Sequence, residues 1–246
     1  MHTAVNQPAT LPVSLAAYDS AMQRQPPSPQ DTSKAESCER DARRAHWEQV
    51  YASKAIAAVS WYQPSAAQSL ALIRSVAPPP AATIIDVGGG ASVLVDQLLD
   101  AGYRTPTVLD VAAGALAAAQ LRLGERATQV HWLQSDILEA PLEPAAYDLW
   151  HDRAAFHFLT DPAQRARYRC QLLRSLRPGG HLVLACFATD GPSRCSGLPV
   201  VRYDAASLAT ELGEGFLPLQ EASGDHVTPS GAIQRFLYMV FRHQPR

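Results

Sequence analysis

An apolar strand that ends on a carboxylate and runs through three consecutive glycines into a helix constrains this chain more than any other feature. The run is Thr83-Ile84-Ile85-Asp86-Val87-Gly88-Gly89-Gly90-Ala91-Ser92-Val93-Leu94-Val95. Glycines let backbone approach a ligand with no Cβ in the way, and the N–H groups opening the next helix face the same cleft. A dinucleotide fingerprint would read G-x-G-x-x-G, whereas here the glycines are consecutive and Ala91 and Ser92 follow them. The pattern is Asp-x-Gly-x-Gly on Asp86, Gly88 and Gly90. An acid at the strand end suits a cationic amino-acid moiety better than pyrophosphate.

Strand and helix signals alternate on both sides of this turn. Apolar runs predict strands at residues 83–87, 107–109, 130–133, 147–150 and 181–187. Helical spacing predicts helices at 66–76, 91–101, 112–123, 161–176 and 204–212, and 216–219 with 233–241 reads as a closing hairpin. Such alternation implies an α/β fold, a doubly wound parallel sheet covered on both faces. Right-handed crossovers then bring the carboxyl ends of the strands to one cleft.

Three further segments repeat the chemistry of the first turn. Thr107-Val108-Leu109-Asp110 ends a strand in an acid, Ser135-Asp136-Ile137 follows another apolar run, and Leu176-Arg177-Pro178-Gly179-Gly180 turns into a fifth strand. Together these segments resemble the class I S-adenosylmethionine-dependent methyltransferases, from about Trp47 to the C-terminus. That resemblance implies a Rossmann-like, mostly parallel seven-stranded sheet with an antiparallel last strand, and S-adenosyl-L-methionine as cofactor. It places Asp86, Gly88, Gly89, Gly90 and Ser92 at the cofactor turn, Asp110 and Val111 at the ribose, Asp136 at the adenine amino group and Ile137 at the ring. Ser92 stands where many members carry another glycine. Trp47-x-x-x-Tyr51 and Trp61-Tyr62-Gln63 are similar to the opening of a branch that includes small-molecule thiol methyltransferases and protein-lysine methyltransferases. By that likeness the four aromatics lie over the methionine end, where ring faces attract a sulfonium.

The candidate chemistry follows the fourth strand. His151 and Asp152 are candidates for a base and its orienter, or Asp152 for holding an amine or hydroxyl. His151 also borders the cofactor positions, and Arg153 suits an anionic substrate group or Asp152. Phe156 and His157 continue this run towards the substrate. Cys195, Arg202 and Tyr203 lie in a polar loop after the fifth strand, and His226 precedes the last, so all four are candidate substrate contacts. No His/Cys/Asp cluster has metal-ligand spacing.

Composition narrows the partners. With 47% hydrophobic residues, 246 positions are enough for a substantial core. A formal net charge of −2 gives no excess basicity for nucleic acid. No run is long enough to span a membrane, and no secretory signal opens the chain. Four cysteines without C-x-x-C spacing fit a reducing cytoplasm. Residues 1–36, rich in Pro, Gln, Ser and Ala, read as a mobile tail before one domain at 37–246 that begins with a helical cap over the cleft. The expected reaction is methyl transfer to a thiol, amine or hydroxyl of a small molecule. A protein substrate modified at lysine, and a cofactor-binding regulator that transfers nothing, are the alternatives.

Overall fold

The computed structural model describes residues 29–245 of the chain. Two compact units divide at Glu39/Arg40, so the first contributes only the start of a helix to the described residues. That helix, α1 (Pro29–Ser53), begins inside the segment read as a tail; residues 1–28 of that reading lie outside the described residues.

In the second unit the elements follow the alternation in the sequence. After α2 (Ala67–Val76) come β1 (Ile84–Val87), α3 (Leu94–Asp100), β2 (Thr107–Asp110), α4 (Ala113–Leu123) and β3 (His131–Gln134). Then follow β4 (Tyr147–Arg153), α5 (Pro162–Ser175), β5 (Leu176–Phe187), a small hairpin of β6 (Arg194–Cys195) and β7 (Leu198–Pro199), α6 (Ala205–Leu212), β8 (Phe216–Val227) and β9 (Ile233–His243). Seven strands form one sheet in the order β3-β2-β1-β4-β5-β9-β8. The first five in that order are parallel, and β9 runs against both its neighbours. The chain steps outward from β1 to β3 and then returns to β4 on the other side of β1. This reversal opens a crevice at the carboxyl ends of β1 and β4.

The inner strands of the sheet are sealed on both faces, as their continuous apolar runs require, while the edge strands β3 and β8 stay open to solvent. Ile85, Val87, Trp150, Leu182 and Leu184 pack with Leu172, Leu208 and Leu212 of α5 and α6. Ile84, Leu149, Val183 and Ala185 pack on the opposite face with Leu72, Ile73, Leu94 and Leu98 of α2 and α3. Alternation along each strand assigns its neighbours to these two cores.

Three boundaries depart from the sequence reading. β4 continues through Arg153, so His151, Asp152 and Arg153 belong to the strand itself rather than to the loop after it. The Pro-Gly-Gly turn is absorbed as an irregularity in β5, which spans residues 177–180 while β4 passes only Asp148. β8 extends to Val227 because an edge strand pairs on one side only, and most of its side chains remain exposed and polar. No helix among the described residues is long and apolar enough to cross a membrane.

Candidate active site

The glycine turn after β1 is built for close approach. Gly88 has φ of +67°, and a Cβ there would lie 2.7 Å from the Cβ of Ala155 in the loop after β4. Gly90 has φ of +45°, and a Cβ there would lie 2.7 Å from Asp110 Oδ2. Neither position accepts a side chain without displacing the site. Gly89 packs against Asp86 and Val108. Ser92 Oγ accepts from Leu94 N–H at 3.1 Å, so the serine serves as a cap at the start of α3. Arg122 of α4 clamps the turn from outside, donating to the carbonyls of Ala91 and Ser92 at 2.8 and 2.7 Å and pairing with Asp96 at 2.6 Å.

Two adjoining cavities open beside this turn. The larger, about 110 Å³, meets Asp110 and Val111 after β2, and Asp136 and Ile137 after β3. The smaller, about 50 Å³, meets Asp86, Gly88, Gly89, Ser92 and His151. Tyr51, Trp61, Gly88 and Arg153 border both, while Trp47 lines only the first and Tyr62 only the second. The opening aromatics therefore meet at the cleft: Trp47 stands edge-on to Trp61 at 5.6 Å and to Phe158 at 5.0 Å, and Tyr51 to Trp61 at 5.9 Å.

The acids are fixed by local bonds. Asp110 Oδ1 accepts from Ala112 N–H at 2.8 Å, and burial pushes this carboxyl up to about 7, with Asp86 and Glu48 raising it further against the Ala112 bond. Asp136 accepts from Leu138 N–H and from Arg43 Nε, at 3.0 and 2.9 Å. Glu48 accepts from Ala113 and Gly114 N–H, at 2.7 and 3.2 Å, and so docks α1 on the N-terminus of α4. Neither Arg43 nor Glu48 carries a motif. Their partners are distant in sequence, and only the fold brings them together.

His151 and Asp152 do not form a base and orienter. Adjacent residues on a strand face opposite ways, and these two point into different cores. His151 lies beside Asp86 in register, its Nδ1 2.7 Å from Asp86 Oδ1 and its Nε2 2.9 Å from Ser69 Oγ. All three side chains are buried. With Nδ1 engaged by Asp86 and Nε2 by Ser69, the imidazole keeps no free acceptor for a substrate proton. Asp152 accepts from Ala155 N–H at 2.9 Å and from Tyr168 O–H at 2.8 Å on the other face. Burial pushes its carboxyl up to about 6, opposed by the Ala155, Tyr168 and Phe156 bonds. It caps the turn after β4 and does not line either cavity.

Other substrate candidates also fall in the core. Phe156 is fully buried against Tyr168 and Tyr203, and Tyr203 is itself buried. His157 is enclosed by Phe158 and Phe187, and burial lowers its imidazole to about 3. Arg202 donates to the Gly191 carbonyl at 3.2 Å and lines neither cavity. His226 bonds the Ser60 carbonyl at 2.7 Å and props the Trp61 segment from behind. Cys195 does line the larger cavity, where burial pushes its thiol above the ordinary range. Arg153 meets both cavities. Among the described residues no His, Cys, Asp or Glu cluster is arranged to hold a metal ion.

The cleft fits the cofactor that the turn suggested. Asp110 and Asp136 offer acceptors beside the apolar walls of Val111 and Ile137, and Asp86 stands at the other end, next to a backbone with no Cβ in the way.

Comparison with known proteins gives the same answer. Residues 84–180 match the family model described as a methyltransferase domain. An uncharacterized methyltransferase of Mycobacterium tuberculosis (strain ATCC 25618 / H37Rv) is 33% identical over 131 residues, covering 52% of this chain and 61% of the relative. Nodulation protein S of Rhizobium tropici is 32% identical over 112 residues, 46% of each chain. The match thus spans about three fifths or less of these relatives. Among solved structures, the 1,6-didemethyltoxoflavin N1-methyltransferase of Burkholderia thailandensis, with 1,6-didemethyltoxoflavin and S-adenosylhomocysteine bound, superposes with a TM-score of 0.61 at 20% identity, covering 91% of this chain and 94% of its own. Residues 84–180 match a methyltransferase domain, and the sheet around them has the fold of solved S-adenosylmethionine-dependent methyltransferases.

Proposed function

We propose that this chain transfers the methyl group of S-adenosylmethionine to a nucleophilic atom of a small molecule. The observation that carries the reading is the convergence of Asp86, Asp110 and Asp136 with the glycine turn on one cleft at the switch point of the sheet. Asp110 would accept from the ribose hydroxyls, Asp136 from the adenine amino group, and Asp86, held by His151, whose other nitrogen bonds Ser69, would face the amino-acid end. The cofactor supplies a methyl on a positively charged sulfur, which needs no further activation.

The chain then contributes position and dryness. Trp47, Trp61, Phe158 and Leu159 wall the larger cavity with apolar surface, which excludes water and holds an acceptor in line. Neither His151 nor Asp152 presents a free base there. The solved N1-methyltransferase with 1,6-didemethyltoxoflavin bound supports a small acceptor.

The test is a screen of thiols, amines and hydroxylated aromatic compounds for production of S-adenosylhomocysteine. Turnover on at least one is expected, and cofactor binding with no turnover on any would favour the regulatory reading. In the same assay His151→Ala is expected to weaken S-adenosylhomocysteine binding roughly tenfold or more, because a hydrogen bond to a charged group contributes about 1.5–3 kcal/mol. A variant with unchanged cofactor affinity and a rate restored at high pH would return His151 to the role of base.

A further inference from the structure

We propose that Arg153 is the receptor for an anionic oxygen group carried by the methyl acceptor, so that the substrate class is a flat, unsaturated compound bearing a carboxylate or a comparable anion. The inference rests on the methyltransferase reading and names the substrate class of that site.

Arg153 closes β4 on the same face as His151, at the mouth of the crevice. Its Nε donates to Tyr238 Oη at 3.1 Å and its Nη1 to the Trp61 carbonyl at 3.3 Å. The guanidinium lies 4.3 Å from the centroid of the Phe236 ring. These three contacts fix the plane of the fork and bring it no negative charge. Nη2 is buried without a hydrogen-bond partner, and among the described residues Arg153 pairs with no carboxylate. A half-buried guanidinium held rigidly at a cleft, with one nitrogen buried and unpartnered, points to an anion that completes it.

The surroundings favour an anion on the acceptor. The three cleft acids lie with the cofactor positions: Asp86 binds His151, Asp110 caps residue 112, and Asp136 pairs with Arg43. Arg153 lines the larger cavity together with Asp110, Asp136 and Arg43, and its own neighbours in that wall are Ala154, Phe158, Cys195 and the edge-on pair Trp47 and Trp61. These neighbours offer rings and no carboxylate. A flat body suits the rings, and a planar two-oxygen group suits the fork.

The probe pair 2-naphthoate and 2-naphthamide has one shape and differs in charge. Each is titrated calorimetrically into the full-length protein saturated with S-adenosylhomocysteine. Naphthoate is expected to bind at least tenfold more tightly than naphthamide. Arg153→Met is expected to abolish that preference while S-adenosylhomocysteine still binds, which also reports that the variant is folded. Arg153→Lys keeps the charge on a gentler change and is expected to keep a preference of threefold or more. Equal affinity of the two probes, no binding of either, or a preference that survives Arg153→Met overturns the assignment. So does a tenfold loss of S-adenosylhomocysteine affinity in Arg153→Met with the naphthoate preference intact, which would put the guanidinium on the cofactor's own carboxylate. Failure of the wild-type chain to bind S-adenosylhomocysteine defeats the methyltransferase reading and this assignment with it. Cofactor binding without a naphthoate preference defeats this assignment alone.

Discussion

Replacing Asp110 by alanine is expected to weaken S-adenosylhomocysteine binding by at least about a hundredfold while leaving the fold intact. Two charge-assisted hydrogen bonds to ribose would be lost, each contributing about 1.5–3 kcal/mol. The free protein should respond in the opposite direction. Burial raises the Asp110 carboxyl from its ordinary 3.8 to about 7, so the native state binds its proton more tightly than the unfolded chain does. The stability associated with this group is therefore fully present below about pH 4 and is lost as pH rises through about 7. Asp110→Asn is accordingly expected to melt at a higher temperature than wild type at pH 8, with the difference shrinking as pH falls towards about 4. Cofactor affinity in the wild type should climb between pH 5.5 and 8, because only the ionised carboxylate accepts on both oxygens. A folded Asp110→Ala variant with unchanged affinity, or an affinity flat with pH, would remove Asp110 from the binding site.

The second large effect is expected at Gly88. An alanine there combines a left-handed backbone, strained by about 1–2 kcal/mol, with overpacking against Ala155 that costs about 1–3 kcal/mol more. Its Cβ meets another Cβ rather than the end of a flexible side chain, so the loop after β4 has to move. Because Gly88 borders both cavities, S-adenosylhomocysteine affinity is expected to fall at least tenfold together with the melting temperature. Gly102 is the matched control: φ is +89° and a Cβ there meets nothing within 4 Å. Gly102→Ala should show only backbone strain and bind the cofactor like wild type. Equal effects of the two substitutions on affinity would show that the turn is not shaped around a ligand.

The sheet was readable because its strands are short apolar runs separated by turn residues, and burial on both faces demands that pattern. β8 was half missed for the same reason: Gln220, Glu221 and Ser223 sit on an edge strand whose exposed faces need no apolar residues. At the cleft, the residues that mark the ends of β1 and β2 were legible because a strand end fixes where its last side chain points. His151 and Asp152 were not. Neighbours in sequence look like partners, yet the pleat sends one to Asp86 and the other to Tyr168. Phe156, His157 and Tyr203 misled in the same way, since a motif gives adjacency and burial is decided by α5 and β5 across the core. Ser69, Arg43, Glu48 and Arg122 had no local signal at all. Each meets its partner only after the chain has folded.

What occupies the cleft between β1 and β4 is measured most directly by a calorimetric titration of the wild-type chain with S-adenosylhomocysteine and NAD. Asp86 would repel a pyrophosphate brought to the glycine turn, while it favours the ammonium of the methyl donor's product; Asp110 suits a ribose of either ligand. Saturable one-to-one binding of S-adenosylhomocysteine, at least tenfold tighter than NAD, is the expected result; equal or tighter binding of NAD would contradict it.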